Sequence, residues 1–185
     1  SPYRELFKRL PDRFLHPAVY QAGVNLSQAL TPIADFLTQA YLFVKEFPHH
    51  ARFLSEILYF RGDLLRLQKL RDLLQSIPDS PEALLEAKQI DASIHFLSGD
   101  DQQALGKFQE TLEVIKRGCV GAASIKGYAG VFFLLALARS GSTGLKSAER
   151  MAETMIANEE STWRGPIANL LIAFRYTNDG GMDDS

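Results

Sequence analysis

The chain is short of cysteine, of tryptophan and of net charge, and each shortage removes a class of explanation. A single cysteine, Cys119, rules out an intrachain disulfide framework and fits a reducing, cytoplasmic setting. A formal net charge of -2 gives no broad attraction to nucleic acid or to an anionic membrane. Long apolar runs are missing too. A membrane span needs roughly 18 uncharged apolar residues, whereas the most apolar stretch, Tyr128 to Ala138, fits a buried core helix. The N-terminal SPYRELFKRLPDRFLH has no uncharged apolar centre of the kind a signal peptide requires. Sustained two-residue alternation and β-branched clusters are also lacking, which excludes a strand-based fold.

What is present is helical spacing almost throughout, in a composition of 46% hydrophobic and 23% charged residues that can bury one sizeable core. The pattern predicts an all-α domain of about nine helices. A short helix or turn is expected near 3–10. Longer ones follow at 17–30, 32–46, 48–61, 64–77, 81–98, 101–117, 122–140, 144–157 and 165–177. Thr31-Pro32 and Ser80-Pro81 each pair a capping hydroxyl with a proline at the first helical position, and Pro48 and Pro166 fit the same place. Short connections make consecutive helices antiparallel neighbours. Ser140 to Gly144 reads as a helix-to-helix turn and the most flexible internal joint. The helical domain is expected to span 1–178, with 179–185 as a flexible polar tail. The Ser1 start and the acidic DGGMDDS end predict a segment of a longer protein.

Leu85 to Lys116, LEAKQIDASIHFLSGDDQQALGKFQETLEVIK, carries the strongest pattern. Ala92 is a small residue in the middle of one helix, and Gly99-Asp100 sits at the turn. Ala104 and Phe108 follow in the next helix. This stretch resembles a tetratricopeptide repeat. Small residues allow close helix approach, the glycine can take positive φ, and the aspartate can cap. Lys88 stands where an aromatic is usual, and Lys116 where a proline is usual. Two degenerate copies flank it. Pro48 to Ile77 has Gly62-Asp63 at its turn but Leu67 in the small position, and Gly127 to Ala157 has Gly141 and Ala148. The glycines at 62, 99 and 141 depart from a strict period of about 34 residues. The resemblance implies stacked antiparallel helical hairpins, a tetratricopeptide-like α-α superhelix.

The resemblance also implies a concave groove lined by the first helix of each hairpin. Carried across by position, the groove residues are Arg52, Glu56 and Tyr59, then Gln89, Ser93 and Phe96. The third copy adds Tyr128, Val131, Leu135 and Arg139. Tyr and Arg suit such a surface because they combine contact area with directed hydrogen bonds. The family's clamp for a terminal carboxylate uses Lys and Asn, and neither is reproduced at these places.

Other residues read as structural. Arg61, Arg66, Lys69 and Arg71 form a basic group balanced by Asp63 and Asp72. His49 and His50 are adjacent and point about 100° apart on a helix, which does not suit one metal ion. His16 is isolated, and His95 sits at a packing position. Cys119 has no marked base or orienting group. Ser140 to Gly144 lacks the lysine and spacing of a phosphate loop. Trp163 is placed to anchor the last helix.

No catalytic residue, metal site or cofactor is therefore expected. The expected function is a non-catalytic protein–protein interaction scaffold that takes a peptide, a subunit or a neighbouring domain. Self-association is open to it, and nucleic acid and membrane are disfavoured. The alternative is an accessory or regulatory helical domain of a large ATP-driven nucleic-acid-acting protein. That reading requires positive potential around Arg61 to Arg71.

Overall fold

The computed structural model describes residues 44–45, 51–117, 125–158 and 163–180. The helices expected at 3–10, 17–30 and 32–46 lie outside the described residues, apart from helical Val44 and Lys45. So do His16, His49, His50, Cys119, Thr31-Pro32 and Pro48. Among the described residues the fold is all helical, with no strand. Seven helices follow in order: α1 (Ala51–Arg61), α2 (Leu64–Gln75), α3 (Pro81–Leu97), α4 (Asp101–Lys116), α5 (Gly127–Arg139), α6 (Ser142–Asn158) and α7 (Arg164–Gly180). None of them is long and apolar enough to cross a membrane.

Two turns share one construction. Gly62 ends α1 at φ +64, and Gly99 ends α3 at φ +84. At the first, Gly62 N donates to the Tyr59 carbonyl and Asp63 N to the Leu58 carbonyl, both at 3.1 Å. At the second, Gly99 N donates to Phe96 at 3.0 Å and Asp100 N to His95 at 2.9 Å. This is the Schellman pattern, which satisfies carbonyls that a helix end leaves unpaired. Each aspartate then caps the next helix. Asp63 Oδ1 accepts from Arg66 N at 3.2 Å, and Asp100 Oδ1 accepts from Gln103 N at 3.1 Å. Ser80 Oγ accepts from Ala83 N at 3.2 Å, so the Ser-Pro start of α3 is capped as its sequence predicts.

Contacts divide the chain into two compact units, Ser1–Asp91 and Ala92–Ser185, and the division falls inside α3. In the first unit α1 packs on α2. Its core holds Phe53, Leu54, Ile57 and Leu58 of α1, with Leu67, Leu70 and Leu74 of α2. Arg71 of α2 ties to Asp91 of α3 at 2.7 Å and to its neighbour Asp72 at 3.1 Å.

In the second unit each of α4 to α7 packs on the helix before it or after it in sequence. Helix α4 buries one stripe, Ala104, Phe108, Thr111 and Ile115. The Thr111 hydroxyl is satisfied inside the helix by the Lys107 carbonyl at 2.9 Å. Phe108 meets Phe133 of α5 with ring centroids 5.2 Å apart. Helix α5 buries residues on most of its circumference, as expected for the most apolar stretch. Ile167, Leu171 and Phe174 of α7 are buried, and so are Ala148, Ala152 and Met155 of α6. Arg175 of α7 binds Glu149 at 3.3 Å and also Glu153, both on α6.

Several boundaries differ from expectation, among them the end of α7, which runs past 177 to Gly180 and into the expected polar tail. Helix α5 starts at Gly127, not at 122, because Lys126 is extended and Gly127 has φ +65. Helix α6 starts at Ser142, so the expected loop from Ser140 to Gly144 shrinks to Ser140 and Gly141. Gly144 is thereby a helical residue held against α5. A Cβ there would lie 2.3 Å from the Leu137 carbonyl oxygen and 2.0 Å from Ser140 Oγ. Helix α7 starts at Arg164, which puts Pro166 in its first turn, where its missing N–H is still not needed.

Replacing Gly62 or Gly99 by alanine is expected to cost about 1–2 kcal/mol at each site, because a Cβ is disfavoured at positive φ. Urea unfolding of the two variants checks whether the twin turns respond alike. The helical glycines should split. Gly106→Ala, with open space around it, should stabilise by about 0.5–1 kcal/mol. Gly144→Ala should instead destabilise by about 2 kcal/mol, since backbone must move. Thermal melts of the pair give the opposite signs directly.

Candidate interaction surface

The residues assigned to a groove fall into two environments. In the first unit, Glu56, Tyr59 and Gln89 are buried and Arg52 is half-buried. The physical reason lies in α1, where every residue from Phe53 to Tyr59 is buried. A helix covered all round has no solvent stripe, so a position that faces a groove in a regular hairpin is an interior one here. Ser93, at the start of the second unit, is also buried. These four buried side chains contribute to packing in this structure and offer a partner no surface.

Arg52 lies close enough to Glu86 of α3 for its charge to act on that carboxyl, with no ion pair between the two. Burial pushes the Glu86 carboxyl above its ordinary range, and the Arg52 charge pulls it partly back. Sequence spacing did not single out Glu86, because a separation of 34 positions is closed only by the tertiary fold.

The second unit does bring its assigned residues together. Tyr128, Val131, Leu135 and Arg139 recur on one face of α5, and the first three are half-buried while Arg139 is exposed. Phe96 of α3 stacks on Phe132 of α5 at 4.8 Å with an interplanar angle of 18°. Tyr128 lies 6.0 Å from Phe132 and 4.7 Å from Trp163, which it meets edge-on. The Arg139 guanidinium sits 5.2 Å above the Phe96 ring and reaches Asp101 of α4 at 3.3 Å. The result is a continuous aromatic row, Phe96–Phe132–Tyr128–Trp163, closed at one end by a cation and a carboxylate. Phe132, Asp101 and Trp163 are the members that repeat positions do not mark. Trp163 is buried just before α7, against Tyr128 of α5.

The basic group has a different fate. Arg66 pairs with Asp63 at 2.8 Å, and Arg71 pairs with Asp91 and Asp72. Two of the four charges are thus countered on the spot, while Arg61 and Lys69 make no ion pair among the described residues. Among the described residues no group of three or more His, Cys, Asp or Glu side chains could hold a metal ion. His95 is half-buried at the end of α3, where its backbone carbonyl accepts the turn hydrogen bond. No family model, curated protein or solved structure matches the chain.

The Glu86 environment carries a pH prediction. A raised folded pKa means that the charged form is penalised in the folded state. The penalty is full above the folded pKa and vanishes below the unfolded value of about 4.3. Glu86→Gln should therefore raise the urea midpoint at pH 7, and this gain should shrink as pH falls towards 4. Paired urea titrations at the two pH values check it, and an equal gain at both would assign the effect to packing.

Proposed function

We propose that this chain is a non-catalytic interaction scaffold of tetratricopeptide-like hairpins, stacked as an α-α superhelix, that takes a protein or peptide segment. The surface around Phe96, Tyr128, Val131, Leu135 and Arg139 is the recognition site in this reading. The observation that carries it is the aromatic row with Arg139 at its end. Phe96 and Tyr128 are half-buried over the buried Phe132 and Trp163, which makes a preordered platform with one directed charge, and such anchors are enriched where proteins bind one another. The two Schellman-and-aspartate turns support the repeat-like part of the reading, since both close a hairpin with one residue pair. Because the platform rings are already packed, binding would cost little side-chain ordering. A segment with an apolar side chain for the Phe96–Phe132 edge and an acidic group for Arg139 suits it, because Asp101 leaves the guanidinium exposed.

Selection from a random linear peptide library with the full chain tests this. The expected outcome is an enriched motif whose binding perturbs the fluorescence of Trp163, the single tryptophan. Arg139→Glu and Leu135→Asp should each weaken that binding about tenfold or more, with helicity unchanged by circular dichroism. A library that yields no motif, or a motif indifferent to both variants, removes the reading.

A further inference from the structure

A second feature of Ala92–Ser185 lies apart from that platform. A cavity of about 400 Å³ opens between α4, α5 and α6, within the size range of small-molecule sites. Its apolar lining is Leu112 from α4, Phe133 from α5, Met151 and Met155 from α6, and Ile125 just before α5. Ile125, Phe133 and Met155 are themselves buried, so the floor is set by the core, while methionine thioethers adapt to ligands of varied shape.

The charges around the cavity are of one sign. Among its lining residues the charged ones are Lys116 and Arg150, and no carboxylate joins them. Helix α6 sorts its charges by face. Glu149 and Glu153 are four apart and bind Arg175 of α7. Ser147, Arg150, Met151, Thr154 and Met155 share the other face and line the cavity. Lys116 is held by Glu113 at 2.9 Å, whereas Arg150 makes no ion pair among the described residues. An apolar chamber bordered by a guanidinium that makes no ion pair among the described residues is complementary to a molecule with an apolar tail and one anionic head.

We infer that this cavity is a binding site for a free, single-chain aliphatic carboxylate, its tail among Leu112, Phe133, Met151 and Met155 and its head on Arg150 with Lys116 beside it. The inference goes beyond the scaffold reading and does not depend on it. Arg150 carries the larger share of head recognition, because Lys116 is shared with Glu113.

Isothermal titration of the full chain with decanoate, below its micelle concentration, tests the site. Single-site saturable binding is expected, with decanol and decyltrimethylammonium binding about tenfold or more weakly. Arg150→Glu should lower decanoate affinity about tenfold or more, and Lys116→Gln by less. Ser147→Trp, at an exposed lining position, should fill the mouth and block uptake. Arg150 is exposed on α6, so its variant keeps the test decisive if Ser147→Trp does not fold. Equal affinity for the anionic and cationic decyl probes would overturn the inference. So would unsaturable multi-site uptake, absence of binding, or association only with vesicles of anionic phospholipid. Trp163 does not line this cavity, so fluorescence loss or retention at the aromatic platform is read separately.

Discussion

A helix ends with unpaired carbonyls, and the next begins with unpaired amides. When two helices are joined by only two residues, both sets must be satisfied within that link. The Gly62-Asp63 and Gly99-Asp100 turns meet this constraint in one way. The glycine enters the left-handed region, which lets its own amide and that of the aspartate turn back onto the ending helix. The same aspartate's side chain then takes the first free amide of the next helix. Reversal within two residues follows, and at the first of these turns α1 packs on α2. The third junction solves the problem differently. Gly141 at φ +106 is followed at once by helix, and Gly144 lies against the end of α5 where a side chain has no room.

Given short reversals, burial is governed by how many sides of each helix are covered. Helices α2 and α4 show a single buried stripe, the usual outcome for a helix with one packed face. Helices α1 and α5 are covered on most sides. This difference decides the candidate surface. On α1, Glu56 and Tyr59 are interior, and Arg52 is half-buried with its charge acting on the Glu86 carboxyl. On α5 the corresponding positions keep partial exposure and join an aromatic row with Phe96. The opposite side of α5 contributes Phe133 to the cavity shared with α4 and α6. One helix thus serves two surfaces of different chemistry, one aromatic and one aliphatic with cations at its edge.

Helix existence was legible because periodicity, capping residues and glycines act over a few residues. Ser80-Pro81, Gly62-Asp63 and Gly99-Asp100 all perform the local roles that their chemistry implies. Ala104, Phe108 and Ala148, singled out by the resemblance to a repeat, are all buried. Boundaries failed where backbone conformation broke a favourable pattern. Lys126 and Gly127 delay α5 although the preceding residues are compatible with helix.

Over the described residues, the sequence by itself determined an all-helical fold, the turns at Gly62-Asp63 and Gly99-Asp100, and the side of α4 that faces inward. These follow from local hydrogen-bonding needs and from the 3.6-residue repeat of side chains. Only the tertiary structure decided that Glu56, Tyr59, Gln89 and Ser93 are interior. It also decided that Arg52 faces Glu86, that Phe96 and Arg139 meet, and that Arg150 borders an apolar cavity. Those outcomes depend on how many neighbours a helix acquires and on side chains brought together from distant positions, quantities that no spacing within a single helix encodes.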